Sequence, residues 1–150
     1  MSDLFNVSEA ARLALHALFL LSRSEKKRWT VSRLADSLGV SQAHLAKVLA
    51  RLEHAGLVKG QTGPAGGYCL ARAPGKITLL SIYQAMEGKL QTGRCPFAVP
   101  VCQGDGCPLG KFFQKIDHQV ISCLKKTTIA QIKIKIGGGN EKRQKKSNQN

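Results

Sequence analysis

Apolar residues recur at helical spacing along most of this chain. Leu13, Ala17, Leu20 and Leu21 mark a first helix over residues 8–21, with Ser8 as its cap and Glu9 in its first turn. Thr30 caps a second helix, whose inward stripe is Val31, Leu34, Ala35 and Leu38. Gly39 stops it, because glycine takes a positive φ at little cost. Ser41 caps a third helix, and Gly56 ends it. Leu45, Val48, Leu49 and Leu52 face inward there, which leaves Gln42, His44, Lys47 and Arg51 outside. Two short helices about a glycine turn, the second with a polar outer face, predict a helix-turn-helix. A small helical hairpin with no nucleic-acid role has the same pattern.

The period then changes. Leu57-Val58-Lys59 and Tyr68-Cys69-Leu70 flank the turn Gly63-Pro64-Ala65-Gly66-Gly67. A β-hairpin directly after the third helix is where a winged helix carries its wing. Pro74-Gly75 breaks the chain, and Leu79, Ile82, Tyr83 and Met86 predict a helix over residues 78–87. Pro108 opens a long helix to about residue 126, with Phe113, Ile116, Val120 and Cys123 as its seam. Such a seam beyond a small winged domain predicts a dimer interface; packing against its own domain is the alternative. Thr127 or Thr128 caps a last short helix reaching residue 132.

These elements predict a mainly α fold with a small β-hairpin wing. A winged helix-turn-helix domain covers residues 1–88 and a cysteine-containing sensor stretch covers 89–107. A dimerisation helix and short last helix occupy 108–133, and a basic tail occupies 134–150. Beyond Gly137 the tail offers no apolar face to bury, so disorder is expected there.

Charge sharpens the picture only in part. The net charge is +14, which suits nucleic acid or another anionic surface. Residues 30–72 hold five Lys and Arg against two acids, whereas residues 111–150 hold ten against two. The region from residue 111 onward, the long helix and the tail together, therefore carries most of the excess. No run of apolar residues is long enough to cross a membrane, and the N-terminal stretch is not a signal peptide. A cytoplasmic protein with reduced thiols is expected.

The chemistry lies in Cys95-Pro-Phe-Ala-Val-Pro-Val-Cys102-Gln-Gly-Asp-Gly-Cys107, three thiols within thirteen residues. Two prolines and two glycines between them exclude a regular helix or strand. Thiolates on such a stretch can converge on a soft metal or an iron–sulfur cluster. Zinc held by three cysteines and His118 is an alternative, as is a metal-free pair that cross-links on oxidation. Cys69 and Cys123 read as buried structural residues. An enzyme or electron carrier is the competing class. A dithiol oxidoreductase would show Cys-x-x-Cys and a ferredoxin four close cysteines; neither is present.

Three segments together resemble the IscR/NsrR family of winged-helix transcription regulators. They are Ser8-x3-Arg12-Leu13-Ala14-Leu15-x-Ala17-Leu18, Leu34-Ala35-x5-Ser41-x3-Leu45-x3-Leu49-x-Leu52-x3-Gly56-Leu57-Val58, and the wing Gly63-Pro64-Ala65-Gly66-Gly67-Tyr68-x-Leu70. The three cysteines complete the likeness, which covers roughly residues 5–133. The resemblance implies a homodimer bound to a palindromic site in double-stranded DNA. It also implies a [2Fe–2S] or [4Fe–4S] cluster on Cys95, Cys102 and Cys107, reporting cluster supply, nitric oxide or redox state. Ser41, Gln42, His44, Lys47 and Arg51 would meet DNA from the third helix, and Lys59, Thr62 and Gly63 from the wing. The cysteine spacing here is six then four, unlike the even spacing of the family. Gly110 and Arg12 stand where relatives carry a His or carboxylate ligand, so the fourth ligand is open, with Glu9 as candidate. Thr62 replaces the basic residue that often precedes the wing glycines. The expected function is a regulator rather than an enzyme.

Overall fold

The computed structural model describes residues 7–23, 28–90 and 107–133. Each α-helix of the N-terminal unit starts where a hydroxyl accepts an orphan amide of the first turn. Ser8 Oγ takes the Ala11 amide at 3.1 Å and opens α1, Glu9–Ser22. Thr30 Oγ1 takes the Arg33 amide at 3.2 Å and opens α2, Val31–Leu38. Ser41 Oγ takes the His44 amide at 3.2 Å and opens α3, Gln42–His54. Thr78 does the same for α4, Leu79–Glu87. Gly39, at φ 68°, turns α2 into α3.

The wing pairs β1, Val58–Gln61, antiparallel with β2, Gly67–Leu70. Its register sets Val58 opposite Leu70 and Gly60 opposite Tyr68. β1 begins one residue later than the apolar triplet suggests, and β2 one residue earlier. Leu57 is fully buried, and its amide still bonds the Leu52 carbonyl at 2.9 Å, so it finishes the helix turn. The sequence pattern also misses a third rung. Trp29 exchanges both backbone hydrogen bonds with Tyr68, at 2.9 and 2.7 Å, and so borders β2 from the far side.

Gly67 explains how that rung closes. Its φ is +132°, and a β-carbon there would stand 2.6 Å from the Trp29 carbonyl oxygen. Glycine alone lets the two backbones approach.

The core lies between α1, α3 and α4. Leu18, Leu34, Leu45, Leu49, Leu52, Ile77 and Ile129 are sealed from solvent. Ile129 reaches that core from the far end of the chain. Its amide bonds the Ile77 carbonyl, and the Leu79 amide bonds the Thr127 carbonyl, both at 2.9 Å. Residues 127–131 are thus sewn to the start of α4, and the expected last helix is a single 3-10 turn, Ile129–Gln131, capped by Thr128.

The long helix α5, Pro108–Lys126, hangs from that seam. None of its residues is buried. Leu109, Phe112 and Phe113 are 55%, 58% and 37% exposed. Cys123 is exposed and Cys69 only half-buried, so neither is the buried hydrophobe that the pattern suggests. Among the described residues no helix is long and apolar enough to cross a membrane. The tail beyond residue 133 and residues 24–27 lie outside the described residues.

Gly67→Ala should cost about 1–3 kcal/mol of unfolding free energy, through the clash with Trp29 and the forced φ. Gly75→Ala, with open space around its Cα, should stay within about 0.5 kcal/mol. Urea melts of the two variants check this; equal midpoints would remove the close approach.

Candidate nucleic-acid interface and cysteine site

The roll of α3 follows from its buried stripe. Leu45, Val48, Leu49 and Leu52 point into the core. At about 100° per residue, the opposite face is centred on Ala43, Lys47 and Ala50. All three are exposed, as are Ala46 and His54. None is acidic, and the alanines leave the backbone accessible to a groove edge or a thymine methyl. The pattern of polar residues passed over these alanines. The inverse of the buried stripe is what locates them.

The four polar residues expected on this face do not share it. Lys47 sits at its centre. Gln42 lies on the edge towards α2, where its Nε2 donates to Ser32 Oγ at 3.3 Å. His44 is half-buried on the opposite edge. Arg51 shares that edge, and its guanidinium donates to the Met86 carbonyl at the end of α4. Ser41, the cap, is exposed at the helix start.

The wing stands beside the α2 edge of α3. Lys59, Thr62 and Gly63 are all exposed, and Gly63 has φ +102°. A groove runs between Thr30 and Val31 at the start of α2, Glu53 of α3, and the wing residues 60–64 and 66–68. Arg28 and Arg33 belong to this end. Arg28 donates to the Gly67 carbonyl at 3.3 Å, and the Arg33 guanidinium covers the Trp29 ring at 4.1 Å.

The cysteine stretch is described only at its last member. Cys107 is the N-cap of α5, half-buried, with its sulfur accepting the Gly110 amide at 3.4 Å. Cys95 and Cys102 lie outside the described residues. No cluster of three or more metal-ligating side chains occurs among the described residues. His118 is on the same helix as Cys107, eleven residues on, about 16 Å along the axis. That separation rules out a shared tetrahedral zinc. Glu9 is exposed in the first turn of α1. Its neighbour Ser8 donates a hydrogen bond to the Glu87 carboxylate, so the start of α1 abuts the end of α4. Burial, and then the Glu87 carboxylate, push the Tyr83 phenol above its ordinary pKa.

Known proteins share this fold. IscR of Xenorhabdus nematophila is 28% identical over 91 residues, 61% of this chain and 56% of IscR. The chain spans little more than half the length of two of the curated relatives that it matches. The solved structure of T. potens IscR is similar at a TM-score of 0.68 and 27% identity, over 84% of each chain. That of CymR, the global cysteine regulator of B. subtilis, has a TM-score of 0.71 at 24% identity, over 84% of this chain and 94% of CymR. The likeness to CymR is one of fold. A family model described as Rrf2, iron-dependent transcriptional regulator, matches residues 7–134. With its winged helix and a match that spans every described element, the chain belongs to the Rrf2 family of transcriptional regulators.

Proposed function

We propose that this chain is a homodimeric regulator that reads a palindromic operator in double-stranded DNA, with an affinity set by an iron–sulfur cluster. The observation that carries the reading is the outer face of α3. A small-residue surface with Lys47 at its centre lies next to an exposed wing, the form that fits a major groove and its flanking phosphates. Ser41 and Gln42 at the first turn approach base edges and His44 borders them. Lys47 and Lys59 meet phosphates, and Thr62 and Gly63 meet the backbone at the wing tip. Arg51 is turned to α4 and serves α3 as a brace.

The apolar seam of α5 supports the homodimer. Leu109, Phe112 and Phe113 are exposed in one protomer. A second copy of the helix would cover them, and the palindrome follows from the resulting two-fold symmetry.

Cys107 supports the cluster. The Gly110 amide and the positive end of α5 favour negative sulfur, the donor that iron–sulfur centres require. Cys95, Cys102 and Cys107 would hold the cluster, with the fourth ligand open and Glu9 as candidate. The cluster supplies a redox-active, nitric-oxide-reactive group at the base of the dimer helix. Cys107 would carry its state into α5 because the same sulfur caps that helix. A metal-free thiol regulator is the second reading, because the cap that favours negative sulfur at Cys107 also favours a reactive thiolate. It would cross-link two of the same three thiols on oxidation.

Three outcomes test this. Lys47→Ala should lower the slope of log K against log salt by about one unit, and Arg51→Ala should leave it unchanged. Equal slopes for Lys47→Ala and wild type would remove the phosphate contact. After anaerobic reconstitution, Cys95→Ala, Cys102→Ala and Cys107→Ala should each lose iron and the visible spectrum, while Cys69→Ala and Cys123→Ala keep both. A wild-type chain that takes up no iron, yet loses DNA affinity on thiol oxidation, would establish the second reading. Phe112→Asp should shift the sedimentation coefficient from dimer to monomer; an unchanged dimer would move the interface elsewhere.

A further inference from the structure

Glu53 is an acid on the side of the molecule proposed above to meet DNA, and no part of that reading uses it. It is exposed near the end of α3, and its Oε1 accepts the Gly60 amide at 2.8 Å. Gly60 belongs to β1, one rung below the wing tip. Its lack of a side chain leaves room for two close neighbours. A β-carbon there would stand 3.1 Å from the Tyr68 ring and 3.2 Å from Glu53 Oε1.

The rung itself explains why Glu53 is placed there. Tyr68, opposite Gly60, turns both its backbone groups outward to Trp29. At a non-hydrogen-bonded pair of an antiparallel ladder, both residues point their amides away from each other. The Gly60 amide therefore faces α3, and the Glu53 carboxylate receives it. The wing is held at one level from both edges, by Trp29 before α2 and by Glu53 on α3. A carboxylate beside a phosphate-binding groove opposes the binding of DNA through its charge. Its use at this point must lie in the geometry that it fixes.

We propose that Glu53 is a positioning residue that locks the tilt of the wing to the recognition helix, and so sets how well the chain tells its operator from other DNA. The inference rests on the DNA-reading proposal and deepens it. Two variants separate geometry from charge. Glu53→Gln keeps an acceptor oxygen for Gly60 and removes the charge. Glu53→Ala removes both.

The probe is a duplex selected from a randomised library by the full wild-type chain, compared with a scrambled duplex. Glu53→Ala should reduce the ratio of the two affinities about tenfold, the scale of one lost base contact. Glu53→Gln should keep the ratio within about twofold and tighten both duplexes together, as loss of one repulsive charge does. Amide exchange at Gly60 should speed up in Glu53→Ala and stay near wild type in Glu53→Gln. The proposal is overturned if Gly60 exchanges equally in wild type and Glu53→Ala, or if the two variants shift the ratio alike. A wild-type chain that enriches no duplex would instead overturn the DNA-reading proposal.

Discussion

Burial of one stripe of α3 is the constraint on which the rest depends. Leu45, Leu49 and Leu52 are fully enclosed, each contributing about 1.5–3 kcal/mol relative to exposure. That stripe fixes the roll of the helix, because turning it by one residue would expose a leucine and bury Lys47. The outer face is therefore decided by the core. α1 and α4 pack on the inner side, and the wing leaves directly from the helix end through the buried Leu57.

Polar contacts then fix what the core cannot. The hydrophobic stripe sets roll, but it leaves the wing free to tilt and α4 free to slide. Trp29 and Tyr68 exchange backbone hydrogen bonds on one side of the wing. Arg51 and Ser8 reach the last turn of α4, the first at the Met86 carbonyl and the second at the Glu87 carboxylate. These bonds are directional, and each is worth only about 0.5–1.5 kcal/mol net, more where a charge takes part. Their weight lies in orientation rather than in total stability.

The long helix follows a different logic. It joins the domain through the backbone pairing of residues 127–129 with 77–79 and through the buried Ile129. Its own residues remain half-buried or exposed. The helix is fixed near one end and leaves an uncovered aromatic seam near the other.

The sequence by itself determined the helices, their caps and the hairpin. Those features are local. Ser8, Thr30, Ser41 and Thr78 each reach an amide three residues ahead, and the leucine stripes follow from a fixed helical period. The three-cysteine stretch was also legible, because its spacing and its prolines are written in the chain. Only the tertiary structure decided the rest. Trp29 became a rung beside Tyr68, thirty-nine residues away, a pairing that no local pattern encodes. Arg51, expected on the outer face of α3, is turned to the Met86 carbonyl at the end of α4. The alanines at the centre of the α3 face carry no polar mark, so composition could not single them out. Glu53 found its partner through the outward-turned amide of one strand rung, and which amides turn outward depends on the register of the sheet.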